Sequence, residues 1–197
     1  MKGKMILMTA TLAALCLSLV MPVAADDRNS NIGLKLNLGL GAQDVPASQN
    51  LENGGAVSLS LGYGVSQRVT LWLGMNGSEH VHELDKDRAS KIVGVELGMQ
   101  YKFRPHEKFR PFGKLGLGTY FYGVEDGAGT VLNGGGVNWA LGAEYRLTKF
   151  FSIGAEIFWK DFDYTKLGKE GADGDFTDLP EPITGNTKGL MLNFTLH

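Results

Sequence analysis

Apolar residues alternate with small or polar ones, at a period of two, in eight separate stretches of this chain. In the first, Ile32, Leu34, Leu36, Leu38 and Leu40 interleave with Gly33, Lys35, Asn37, Gly39 and Gly41. A helix needs apolar residues three and four apart, so this spacing belongs to a strand with two chemically different faces. The same pattern returns at residues 57–65, 69–76, 93–103, 114–122, 137–147, 151–160 and 190–196. The connections alternate too. Those at 42–55, 77–91, 123–135 and 161–188 are long, and those at 66–68, 104–110 and 148–150 are short. Short turns on one side and long loops on the other predict an all-β fold, an eight-stranded antiparallel up-and-down barrel.

Period two does not say which face is outside, because a soluble barrel also alternates. The aromatic residues decide it. On the apolar face, Tyr63, Tyr101, Phe103, Tyr145, Phe151 and Phe194 fall near the short-turn ends. Phe121, Trp139 and Trp159 fall near the long-loop ends, and between the two sets lie mainly Leu, Val, Ile, Ala and Met. That is an oily band between two aromatic girdles, so the apolar face is expected to meet lipid and the barrel to be transmembrane.

The opposite face is rich in glycine, and 28 glycines in 197 residues is roughly twice the usual frequency. An eight-stranded barrel has little interior room, and small residues let longer side chains fold across it. Eight ionisable residues are expected inside: Lys35, Glu96, Lys102, Lys114, Glu144, Arg146, Glu156 and Lys160. Counted from the short-turn ends, Lys35, Lys114, Glu144 and Glu156 share a depth, which predicts salt bridges across the lumen. Buried ions are costly unless paired. With Trp72, Tyr120, Tyr122 and Phe158 also pointing inward, a plug is favoured over a narrow pore.

The first residues belong to a different kind of segment. Lys2 and Lys4 precede an uncharged apolar run over 5–20, and Val23, Ala24 and Ala25 supply a small-residue cleavage site. Residues 1–25 therefore read as a cleaved signal peptide and residues 26–197 as one barrel domain. The single Cys16 follows Leu15 inside the apolar run, so neither lipidation nor a disulfide framework is expected. The formal charge of −2 becomes more negative once Lys2 and Lys4 are removed, which argues against nucleic acid.

Catalysis on lipid would need a His base beside a Ser nucleophile. His106 lies in a short turn and His197 at the end of the sequence. His80 and His82 share a face at an outer strand end, where Glu79, Glu83 or Asp85 could complete a metal site. A solvated loop is the plainer reading, and no serine on a neighbouring strand end presents itself from the sequence. The acidic stretch 161–188 could bridge a divalent cation to lipid phosphates, although a hydrated loop is simpler. No catalytic residue, cofactor or metal is assigned, and the chain reads as non-enzymatic. A lipid-modifying barrel enzyme stands behind the narrow pore as an alternative.

The motifs carry a family resemblance. Arg-Pro-Phe at 110–112 runs into KLGLGTY at 114–120, and WALGAEYRL at 139–147 leads through a short turn into another strand. In combination these resemble the opacity-protein and OmpA-type family of small outer-membrane β-barrels, over residues 30–197. The resemblance implies residence in the bacterial outer membrane, insertion by the barrel-assembly machinery, and contact with membrane lipid and lipopolysaccharide. A monomer whose specificity lies in its surface loops is expected.

Overall fold

The computed structural model describes residues 31–45, 51–82, 89–124, 129–169 and 176–197. The signal segment 1–25 lies outside them. Eight strands follow one another in sequence order: β1 (Gly33–Asp44), β2 (Gly54–Gly64), β3 (Val69–Val81), β4 (Ala89–Lys102), β5 (Phe109–Val124), β6 (Thr130–Arg146), β7 (Phe151–Lys169) and β8 (Thr177–Leu196). Each pairs antiparallel with the next, and β1 pairs with β8 from Leu36↔Leu196 to Asp44↔Lys188, closing the barrel. Closure leaves no free sheet edge, the condition for strands to stand in hydrocarbon.

The two faces are inverted relative to a soluble protein. Leu97, Leu115 and Leu117 are more than 60% exposed on the outside, whereas Arg110 is 0% and Lys102 1% exposed inside. That distribution is stable only if the solvent around the strands is lipid.

The short turns form through local side-chain bonds. The Ser66 Oγ accepts the backbone N–H groups of Arg68 and Val69, and the Thr148 Oγ accepts that of Phe150. Between β4 and β5 the ladder runs further than the alternation indicates. Phe103 N–H bonds to Pro111 O, and β5 begins at Phe109, inside the expected turn 104–110.

The long loops are shorter than expected for the same reason. β1 continues to Asp44, β3 to Val81 and β7 to Lys169, while β8 already starts at Thr177. Most of 161–188 is therefore hairpin strand rather than loop. Above the outer girdle the outward residues become Asp44, Glu79, Lys91, Asp161, Asp163 and Lys188, with Lys188 3.4 Å from Asp44. Hydrophobic alternation fades there because both faces have left the lipid, but the backbone ladder has no reason to stop. From Trp159 to the end of β7 is roughly 33 Å of strand, so the β7–β8 hairpin stands well clear of the membrane.

Candidate functional site

The lumen is packed in tiers. Several inward aromatics lie over glycines, where a Cβ would collide with the ring. A Cβ on Gly98 would sit 2.8 Å from the Trp72 ring, on Gly94 2.8 Å from Tyr120, on Gly142 2.6 Å from Phe112 and on Gly189 2.5 Å from Phe158. The glycine excess thus makes room for rings in a narrow bore.

All eight expected ionisable residues point into the lumen; of the four expected at one depth, Lys114 and Glu156 pair with each other, whereas Glu144 and Lys35 find other partners. At the short-turn end, Lys102 Nζ donates to Glu144 Oε1 at 2.5 Å, and Arg110 Nη1 lies 3.6 Å from the same oxygen. Arg110 is missing from the expected set because the alternation puts it in a turn. With β5 starting at Phe109, it alternates inward and is fully buried. Among the described residues, Lys35 reaches no carboxylate in this tier. Its Nζ lies 2.9 Å from His197 Nδ1, and His197 Nε2 lies 2.7 Å from Ser152 Oγ. An ammonium only donates, so Nδ1 accepts and Nε2–H donates to Ser152. His197 is thus a lumen residue rather than a loose end, which corrects the expectation that set it aside. Arg146 Nη2 donates to Lys149 O, 3.3 Å away.

At mid-depth, Lys114 Nζ lies 2.6 Å from Glu156 Oε2 and stands over the rings of Phe112 and Trp72 at 5.3 and 6.0 Å. Higher up, Lys160 crosses the lumen from β7 to reach Glu96 on β4 at 2.9 Å and Asn76 on β3 at 2.7 Å. Tyr120 Oη donates to Glu96 at 3.0 Å. Tyr120 itself is 0% exposed and stacks on Phe162 at 4.6 Å, and Phe162 packs edge-on against Tyr164 at 5.1 Å. These rings, with Tyr122, Leu132 and Leu179, form an apolar plate across the outer mouth. Cavities of about 60 and 30 Å³ remain between the tiers, each room for a water or two.

The girdle residues face outward. Tyr63, Tyr101, Phe103, Tyr145, Phe151 and Phe194 ring the short-turn end, with Tyr101 edge-on to Phe103 and Phe151 beside Phe194. At the other end Trp139 and Trp159 are direct partners across β6 and β7 and stack at 4.1 Å, and Phe121 lies on the same outward face.

His80 and His82 are not in a solvated loop. They extend β3 on its inward side above the girdle, opposite the exposed Glu79, and Glu83 and Asp85 lie outside the described residues. His80 is fully buried, with Nδ1 3.1 Å from Glu52 O and Nε2 2.9 Å from Ser78 Oγ. His82 Nε2 lies 2.9 Å from Ser90 Oγ, which also receives the Tyr122 hydroxyl. Alternation along β3 places Ser78 beside His80, and the β3–β4 ladder brings Ser90 beside His82, a pairing between strands that the linear sequence hides. Ser90 is fully buried and Ser78 nearly so. Neither presents an exposed nucleophile.

Burial holds the His80 imidazole below its ordinary range, with the Glu52 carbonyl and Asp44 acting against it. Because the folded pKa is lowered, this group contributes stability above the unfolded value of about 6.5. That contribution is lost as pH falls, since the unfolded chain takes up a proton the folded one refuses. Unfolding midpoints measured from pH 7.5 to 5 should therefore fall more steeply in the wild type than in His80→Gln, and parallel curves would refute the assignment.

Residues 10–190 match the family model described as outer membrane protein beta-barrel domain. The chain belongs to that family. Its location is accordingly the bacterial outer membrane. No curated protein matches the chain by sequence. Among solved structures, the barrel is similar to Neisserial surface protein A at TM-score 0.66 and 12% identity, covering 83% of this chain and 96% of that one. It is also similar to the outer membrane protein OprG from Pseudomonas aeruginosa, at TM-score 0.55 and 14% identity over 86% and 97% of the two chains. A major outer membrane protein from Thermus thermophilus aligns at TM-score 0.51 and 13% identity, over 83% and 99%. At these identities the likeness is one of fold.

Proposed function

We propose that this outer-membrane barrel is a non-enzymatic anchor that holds its outer hairpins at the cell surface for recognition, adhesion or envelope integrity. The observation that carries this reading is the filled lumen. Among the described residues, ion pairs crossing from strand to strand and the Tyr120–Phe162 plate break the lumen into cavities of about 60 and 30 Å³, against the continuous bore that conduction requires. The part of the molecule free to meet a partner is therefore the outer rim. There the β7–β8 hairpin presents Asp161, Asp163 and Lys188 together with exposed Leu167, Phe176 and Ile183.

The same reading covers partners. The apolar wall between two aromatic girdles suits membrane lipid, and the charged rim above Trp139 and Trp159 suits lipopolysaccharide headgroups. Family membership supports delivery by the barrel-assembly machinery, and the closed, edgeless sheet supports a monomeric state. The serines beside His80 and His82 are buried, which supports a non-catalytic role for both pairs.

Replacing the β7–β8 hairpin above Asp161 and Asn186 with a short turn tests the proposal. Insertion and heat-modifiable gel mobility are expected to persist, while binding of cells to host surfaces, or their resistance to detergent, is lost. A phenotype untouched by this replacement but abolished by lumen substitutions would overturn the anchor reading in favour of transport.

A further inference from the structure

The antiparallel register sets the outward residues of β7, β8 and β1 in rows across the outer girdle. Just below it, Ile157, Leu190 and Ala42 are level neighbours, and Ala42 pairs with Gly55 on β2. Ile157 and Leu190 are about half exposed, and a Cβ on Gly55 would meet nothing within 4 Å. Large apolar side chains beside two small residues leave a furrow of about 460 Å³ in the lipid-facing wall. One row higher stand Trp159, Lys188 and Asp44, with Asn53 beyond them. There β1 ends, while β7 and β8 run on. At that step lies an open hollow of about 720 Å³, which shares this row with the furrow and reaches up to Glu52, Asp161 and Asn186.

The furrow and the hollow form one groove, apolar where it meets hydrocarbon and polar where it leaves it. Its volumes are those of small-molecule sites, and its gradient suits a molecule with a polar head and an apolar chain. Charge selects the head. Among the described residues, three carboxylates, Asp44, Glu52 and Asp161, line the hollow with one ammonium, Lys188. Lys188 lies 3.4 Å from Asp44, but its side chain is 65% exposed, so that pair is weak and screened. A phosphate or carboxylate head would meet net negative charge, whereas a cation would meet its complement. Trp159 adds a second attraction. Trp139 on β6 covers one face of its indole at 4.1 Å, and the groove lies on the β8 side, where the electron-rich ring face can hold an ammonium.

We infer that this groove binds an amphiphile of the outer leaflet that carries a cationic head on an apolar chain. The head sits among Asp161, Asp44 and Trp159, and the chain descends along Leu190 and Ala42. The site goes beyond the anchoring role and is independent of it, because replacing the hairpin above Asp161 and Asn186 keeps every residue named in the groove.

Native mass spectrometry of the full folded barrel in a neutral polyoxyethylene detergent tests it, with dodecyltrimethylammonium as the probe and dodecyl sulfate as its anionic counterpart. One ammonium probe should bind per barrel, saturably, and roughly tenfold more tightly than the sulfate. Asp44→Asn combined with Asp161→Asn should abolish that preference, whereas Lys188→Gln, which removes the competing cation, should strengthen it. Ala42→Trp should fill the furrow and weaken binding without touching a charge. Glu107→Gln, exposed at the short-turn end, should change nothing. Equal affinity for the two heads, binding that never saturates, or a preference that survives the double substitution overturns the assignment; the comparison of heads uses the wild type and does not depend on any variant folding.

Discussion

Replacing Glu144 with alanine is expected to lower the unfolding free energy of the barrel by about 3–5 kcal/mol. Glu144 is 5% exposed, accepts Lys102 at 2.5 Å and stands 3.6 Å from Arg110, so its removal strands two cations that are 1% and 0% exposed. The penalty comes less from the lost attraction than from what remains: an uncompensated cluster buried away from bulk solvent. Glu144→Gln keeps the shape and one acceptor while removing the charge, and should cost about 1.5–3 kcal/mol.

Glu156→Ala is the internal control. Its partner Lys114 is 17% exposed and already faces the rings of Phe112 and Trp72, so a loss of about 1–2 kcal/mol is expected. Urea unfolding of protein refolded into lipid vesicles, followed by tryptophan fluorescence at fixed chloride concentration, measures all three variants. If Glu156→Ala proved as damaging as Glu144→Ala, the deeper burial of Lys102 and Arg110 would not be what sets the cost.

How much of this is legible in the sequence depends on which side of the girdle a residue occupies. Within the lipid zone, alternation assigns every face, because hydrocarbon outside and charge inside are opposite demands on successive residues. Lys35, Glu96 and Lys160 can be placed inward on that basis alone. Beyond the lipid zone the demand disappears. Asp161 and Asp163 alternate with Phe162 and Tyr164 in the reverse sense, polar outward and aromatic inward, and so resemble loop. At the other end, Arg110 is hidden by Pro111 beside it, a residue that reads as a turn but here occupies a strand on its outward face.

Pairing is harder to read than placement. Depth along each strand suggests which charges share a level, but tilt and stagger decide which of them meet. Thus Lys114 finds Glu156, whereas Lys35 passes over both glutamates to reach His197. The serines beside His80 and His82 come from β3 itself and from β4, and only the register of the ladder makes the second pairing visible.

In planar bilayers the wild-type barrel should show no stable conductance, and opening it should require two layers of aromatic residues to be removed together. Tyr120→Ala with Phe162→Ala dissolves the outer plate, whose rings stack at 4.6 Å, but leaves Trp72 and Phe158 beside the Lys114–Glu156 pair at mid-depth. That double variant should remain silent. Adding Trp72→Ala clears the ring that lies over Gly98 and Gly116, and water can follow because the exposed lining is polar rather than oily. Stepwise currents are then expected. Their selectivity is fixed by the remaining constriction, where Lys35, Lys102 and Arg110 outnumber Glu144, so reversal potentials in a potassium chloride gradient should report chloride preference. Cation preference in the triple variant would place the limiting charge at Glu96 and Glu156 instead. Equal conductance in the wild type and the triple variant would show that the aromatic tiers do not close the lumen at all.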